Sequence, residues 1–406
     1  MGRTRAASCG KTRGRWALPA LCYAAGIAGL SVTITRPILV RIAETYQITV
    51  ALAGQLMTAA AVLGLVGMLV VSPFLDRVRR RDAILVTLGV MAVAGLGCAA
   101  APSFLLLCVT YAPAGLGAFI LFALVMAATG DLKPGPLLAP ALGWISVGNI
   151  GVSMVGLPIL GALAERAGWR VAFVGYALLA SVAFVAIALS LPRGEQPTPA
   201  RGIQYAAVFR HLFRAGSLSS VLWTVASVCA CVYGSSTFLG ALAEQRLGLS
   251  TGQTGTLLGV FMAGSALAGF STGRVVRAPR PGHVAGAAMF AGVIALLLYT
   301  TAYSLPWFTV LGFLNSFSTG ASTVLVVTLL LERAGEERGM VSGLRSLMEC
   351  VGAIAGPALA GAMVSRSGYP AAGVSFAVVA FMGAALVLLV HKREAAARPV
   401  EVPQSG

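Results

Sequence analysis

The spacing of its charges constrains this chain more than any other feature. Residues 16–35, 45–75, 134–164, 171–192, 215–243, 247–273 and 367–391 carry no Asp, Glu, Lys or Arg. About 20 apolar residues in helix cross the hydrocarbon core of a bilayer, and each of these runs is long enough. Two further runs, 83–130 and 281–331, are 48 and 51 residues long. The shorter of them is about 72 Å as helix, more than twice a core of about 30 Å. Each divides at a proline-containing turn, Pro102–Ser103 in the first and Ser304–Pro306 in the second, because proline interrupts a helix. A last apolar stretch, 340–365, holds Arg345 and Glu349. The expectation is an all-α membrane protein of twelve crossings, numbered here spans 1 to 12.

Composition closes off the soluble alternative. The chain of 406 residues is 58% hydrophobic and 10% charged, whereas soluble domains are about 45–50% apolar and about 25% charged. The formal net charge of +16 would suggest a nucleic-acid partner if the basic residues formed a patch. They do not. An even number of spans places 22 of the 29 Lys and Arg on the side of both termini, six on the other side, and Arg345 within a span. Basic residues gather on the cytoplasmic side of membrane proteins. The expected location is therefore the inner (plasma) membrane, multi-pass, with both termini cytoplasmic and no nucleic-acid partner. The basic, then apolar, N-terminus resembles a secretory signal, but its apolar run exceeds the usual length, so an uncleaved first helix is expected.

The two halves read as copies. Gly156, Gly161, Ala162, Arg166 and Gly168 recur 200 residues later as Gly356, Gly361, Ala362, Arg366 and Gly368, with Trp169 matched by Tyr369 and, more faintly, Gly54 by Gly255. Two parallel six-helix repeats follow, with boundaries expected at 1–191 and 218–406 and a cytoplasmic linker over 192–217. Parallel repeats of this kind place a substrate site between the halves near the membrane midplane.

The segment Ser72-Pro73-Phe74-Leu75-Asp76-Arg77-Val78-Arg79-Arg80-Arg81 resembles the G-x-x-x-D-R-x-G-R-R signature between spans 2 and 3 of the major facilitator superfamily. Asp76 and Arg77 match it, while Ser72 and Arg79 replace its glycines. The resemblance covers nearly the whole chain and is closest to the drug or metabolite exporters of twelve-helix type. It implies a gating role for Asp76, Arg77 and Arg80 in a charged latch at the cytoplasmic side, against the plainer reading of a basic anchor. Pro158 and Gly161 in span 5, and Gly356-Pro357 and Gly361 in span 11, partly resemble an antiporter signature, G-P-x-x-G-G. Tyr111 stands where many proton-driven exporters carry an arginine, so a coupling role for that arginine does not transfer.

Ionisable groups within a membrane are costly and become functional candidates. Glu349 lies near the middle of span 11, with Arg345 one turn away on the same face. It is either a proton-coupling carboxylate or a structural pair with Arg345, and because Arg before Glu is the weaker order on a helix, another partner is open to it. Arg36, beside Pro37 in the outer third of span 1, either binds an anion or gates, or else snorkels to the surface. Polar residues are densest in span 10, where Asn315 is the best substrate-binding candidate. Trp223, Tyr233 and Tyr111 could add aromatic contact. The seven cysteines show no metal spacing, and no phosphate-binding loop is present. No cofactor, metal or catalysis is therefore expected. The sequence thus points to a secondary active transporter working as a monomer by alternating access. Its expected activity is proton-coupled efflux of a small organic or drug-like compound by antiport. Uptake of a small organic anion is the alternative, and a non-transporting receptor a remote one.

Overall fold

Within lipid every backbone N–H and C=O must find its partner inside the protein, which leaves helices as the only open-ended spanning form. The computed structural model describes residues 2–75, 78–132, 137–192, 217–276, 279–333 and 338–397, with most side chains from Trp16 onward. No strand occurs among them. The helices are α1 (Gly2–Thr33), α2 (Leu39–Tyr46), α3 (Val50–Leu75), α4 (Arg80–Ala100), α5 (Phe104–Leu132), α6 (Leu138–Ala167), α7 (Trp169–Ser190), α8 (Ser217–Thr237), α9 (Leu239–Leu247), α10 (Thr251–Val275), α11 (Pro281–Thr301), α12 (Leu305–Arg333) and α13 (Arg338–Ala397). Both long charge-free runs divide at the expected prolines: α4 ends at Ala100 before Phe104 opens α5, and α11 ends at Thr301 before Leu305 opens α12.

Eleven stretches among the described residues are long and apolar enough to cross a membrane. The last, Gly343–Lys392, runs for 50 residues, twice what one crossing needs. Gly368 interrupts it at φ 76°, ψ −177°, which makes spans 11 and 12 and brings the crossings to twelve. Gly168, 200 residues earlier, separates α6 from α7 at φ 89°, ψ 154°. Only glycine occupies this region without strain. The repeated glycine is thus a repeated backbone reversal.

Spans 1 and 7 are both broken. Span 1 stops at Thr33, passes through Arg36 and Pro37, and resumes as α2; span 7 breaks at Phe238 between α8 and α9. The first break follows from Pro37. The second has no proline; Gly234-Ser235-Ser236-Thr237 lead into it, and the Ser236 and Thr237 hydroxyls donate back to the Val232 and Tyr233 carbonyls, a pattern that bends helices. Each short helix then ends in a left-handed residue, Gln47 at φ 53° and Gly248 at φ 67°.

The packing repeats as the sequence does. In the first half α1 packs on α5, α6 and α7, α4 on α5 and α7, and α3 on α5. In the second, α8 packs on α12 and α13, α11 on α12 and α13, and α10 on α12. Two long seams join the halves, α6 against α10 and α3 against α13, and α2 touches α9 as well. Small residues bring the backbones together there, as at many membrane helix contacts. A Cβ on Gly161 would lie 3.0 Å from the Thr251 carbonyl and 3.2 Å from the Gly255 Cα. A Cβ on its repeat partner Gly361 would lie 3.1 Å from the Ala51 carbonyl. The outward faces keep large apolar side chains exposed, among them Val93, Leu105, Leu178 and Met382, which a bilayer would cover.

Candidate functional site

The two broken crossings meet at their breaks. The Arg36 carbonyl lies against Gly240, where a Cβ would come within 2.1 Å of it. The Arg36 side chain does not snorkel: the residue is only 7% exposed. Tyr111, Tyr233 and Tyr299, from spans 4, 7 and 9, are the ionisable groups that act on its charge. Among the described residues it makes no ion pair. A buried guanidinium without a counter-charge is expensive, which makes this group a candidate for an anionic partner.

Beside it, side chains tie span 7 to its neighbours. Asn315 in α12 donates from Nδ2 to the Ser235 hydroxyl (3.3 Å), and the Tyr299 hydroxyl donates to the Ser235 carbonyl. Asn315 is 2% exposed, and its Oδ1 is buried with no hydrogen-bond partner. Around it the polar density of span 10 is largely spent locally. Ser318 and Thr319 donate to the Asn315 carbonyl, Ser322 to that of Ser318, and Thr323 to that of Thr319. Of that cluster, Asn315 alone is left with a buried, unpaired acceptor.

The second candidate pair is also assembled. Arg345 and Glu349 are 3.1 Å apart, so the ion pair forms despite its weaker order. Glu349 has the further partner that order left open: the Tyr233 hydroxyl donates to its Oε1 at 3.0 Å. Tyr233 therefore bonds one ionisable site, Glu349, and stands within electrostatic reach of the other, Arg36.

Other candidates fall elsewhere. Tyr111 is buried, its hydroxyl donating to the Ser31 carbonyl at 2.7 Å, while the Ser31 hydroxyl donates in return to the Ala114 carbonyl at 3.1 Å. It braces span 4 on span 1. Trp223 stands ten residues before Tyr233, about 15 Å along the helix, and is exposed, so it does not join the cluster. Arg80 pairs with Asp131 of span 4, a contact inside its own half rather than across the halves. Asp76 and Arg77 lie outside the described residues, as does nearly all of the 192–217 linker.

A polar seam at the end opposite the termini escaped the sequence reading. Glu165, at the end of α6, accepts from the Ser250 hydroxyl and the Gly252 N–H, both at 2.9 Å, so it sits on the N-terminus of α10. Arg41 Nε donates to Thr251 Oγ1 at 3.3 Å. The capping box formed by Ser250 and Gln253 is readable in sequence. The carboxylate that joins it comes from 85 residues away.

This architecture has known counterparts. The Major Facilitator Superfamily profile matches residues 21–302 and 235–406. The inner membrane transport protein YdhP of Escherichia coli K12 is 25% identical over 386 residues, covering 93% of this chain and 96% of that one. The uncharacterized MFS-type transporter YceJ of Bacillus subtilis is 22% identical over 364 residues, covering 88% and 91%. Among solved structures, a bacterial homolog of the human lysosomal transporter Spinster, in an inward-facing and occupied conformation, superposes with a TM-score of 0.74 at 16% identity over 92% of this chain and 96% of that one. The human organic anion transporter MFSD10 does so at 0.67 and 19% identity, over 92% and 99%.

Proposed function

Because this chain belongs to the major facilitator superfamily, a family of membrane transporters, we propose that it is a secondary active transporter that works by alternating access and exports a small organic compound against protons. The observation that carries proton coupling is the triad of Glu349, Arg345 and Tyr233. Ionised, Glu349 holds both partners. Protonated, it loses the ion pair and releases Arg345, so a proton has a differential interaction with the two arrangements, which coupling requires. Export is favoured by the partial antiporter signature in spans 5 and 11. The 22-to-6 division of basic residues supports an inner-membrane location with cytoplasmic termini. The packing pattern supports two six-helix bodies, 1–191 and 218–406, joined by 192–217.

The test is counterflow in proteoliposomes against a compound panel, with and without an imposed pH gradient. Wild type should exchange substrate and accelerate with the gradient. Glu349→Gln should still exchange but lose its response to stepped pH; an unchanged pH profile would remove Glu349 from coupling. One observation favours a second reading, uptake of an organic anion: Arg36 is buried without a counter-charge. In that case Arg36→Gln should abolish transport. Arg36→Lys, which keeps the charge but loses the planar fork, should weaken it.

A further inference from the structure

Two buried polar groups have unmet demands, and the demands differ. Arg36 asks for an anion. Asn315 Oδ1 asks for a hydrogen-bond donor, since a buried acceptor left unmade keeps its full desolvation cost. Both face the broken stretch of span 7. The Arg36 backbone carbonyl lies against Gly240, just past the break, and Asn315 bonds Ser235 just before it; Tyr299, whose hydroxyl donates to the Ser235 carbonyl, is among the tyrosines within electrostatic reach of the Arg36 charge. One small molecule could reach both. Arg36 comes from the first half and Asn315 from the second, so such a ligand would bridge the halves where the two broken crossings meet.

We propose that the substrate is a small carboxylate bearing a neutral hydrogen-bond donor next to the acid group, a 2-hydroxy acid or an N-acylated amino acid, held by Arg36 through its carboxylate and by Asn315 through its O–H or N–H. This rests on the organic-anion reading above and narrows it. The guanidinium fork matches a carboxylate in two parallel bonds. The donor is neutral rather than an ammonium because no carboxylate pairs with Arg36 among the described residues, and Glu349 is engaged by Arg345 and Tyr233. Both polar groups are sealed in the described conformation. The ligand therefore reaches them when spans 1 and 7 part at Gly240.

The experiment uses the full chain in lipid nanodiscs for binding and in proteoliposomes for counterflow, with three matched probes: 3-phenyllactate, 3-phenylpropionate and 3-phenyl-1,2-propanediol. Phenyllactate should bind about tenfold or more tightly than phenylpropionate, which lacks the donor and leaves the acceptor unpaired, and the diol should not bind. Asn315→Ala should erase the preference of phenyllactate over phenylpropionate while retaining the binding of both acids. Arg36→Lys should weaken both acids by about tenfold or more through loss of the fork and leave their ratio unchanged. A melting temperature for each variant separates lost binding from lost folding, and Asn315→Ser serves if the alanine variant unfolds. Equal binding of acid and diol, no binding of phenyllactate at millimolar concentration, or an unchanged preference in a folded Asn315 variant would each overturn the assignment. If phenyllactate binds as expected but no compound in the panel shows counterflow, the substrate site stands and the transport reading falls.

Discussion

Gly240→Ala isolates the contact between the two broken crossings. The new Cβ would stand 2.1 Å from the Arg36 carbonyl oxygen and 2.9 Å from its carbon. Both are backbone atoms, so no side chain can swing aside. Carbon approaches a carbonyl oxygen to about 3.3 Å, and the two segments must therefore separate by about 1 Å or strain. Overpacking of this kind costs about 1–3 kcal/mol. The cost falls on the conformation in which spans 1 and 7 touch and is absent where they part. The ratio of closed to parted protein should therefore fall about 5- to 150-fold. Spin labels carried by encoded amino acids at Arg166 and Ser367, exposed positions in different halves, would report the distance across that end by pulsed electron resonance. Gly286→Ala is the control, since its Cβ meets nothing within 4 Å. A Gly240→Ala protein with the wild-type distance distribution and wild-type counterflow would show that the contact is not made in the working cycle, and the reasoning would fail.

The same distance measurement applies to Glu165→Gln. It should lower the closed fraction by roughly fivefold or less, because an exposed carboxylate on a helix N-terminus contributes about 0.3–1 kcal/mol; an increase would mean that Glu165 holds the seam apart. Gly168→Ala and Gly368→Ala should each cost about 1–3 kcal/mol through the strained backbone alone, read as a drop in melting temperature in detergent, and similar drops would mark the two sites as structural equivalents. A double-mutant cycle on Arg80 and Asp131 should give about 0–1 kcal/mol, as for partly exposed ion pairs; a much larger coupling would imply a role beyond surface pairing.

How far the chain could be read depended on the range of the interaction. Where a helix enters and leaves a bilayer is set by the partition of successive residues between lipid and water, and that is written locally. The charge gaps, Pro102 and Pro306 therefore placed the crossings, and the 200-residue echo paired Gly168 with Gly368, which the structure shows as equivalent reversals. The break at Phe238 has no proline, only the weaker mark of Gly234-Ser235-Ser236-Thr237 before it. Its partner across the seam, the Arg36 carbonyl against Gly240, is a contact between segments about 200 residues apart.

Partners are a different matter. Arg36, Glu349 and Asn315 stood out in the sequence because polar groups in lipid are costly, but their surroundings come from segments far along the chain. Tyr233 reaches Glu349 across 116 residues, and Asn315 reaches Ser235 across 80. The same packing gives the hydroxyls of Tyr111 and of Ser318 and Ser322 in span 10 backbone carbonyls to bond. Twelve helical crossings in two similar halves were thus legible from the residues alone, because lipid sorts each segment on its own composition. Which buried polar groups are satisfied, and that Asn315 Oδ1 is not, was decided by the folded packing, because satisfaction depends on neighbours that only distant segments supply.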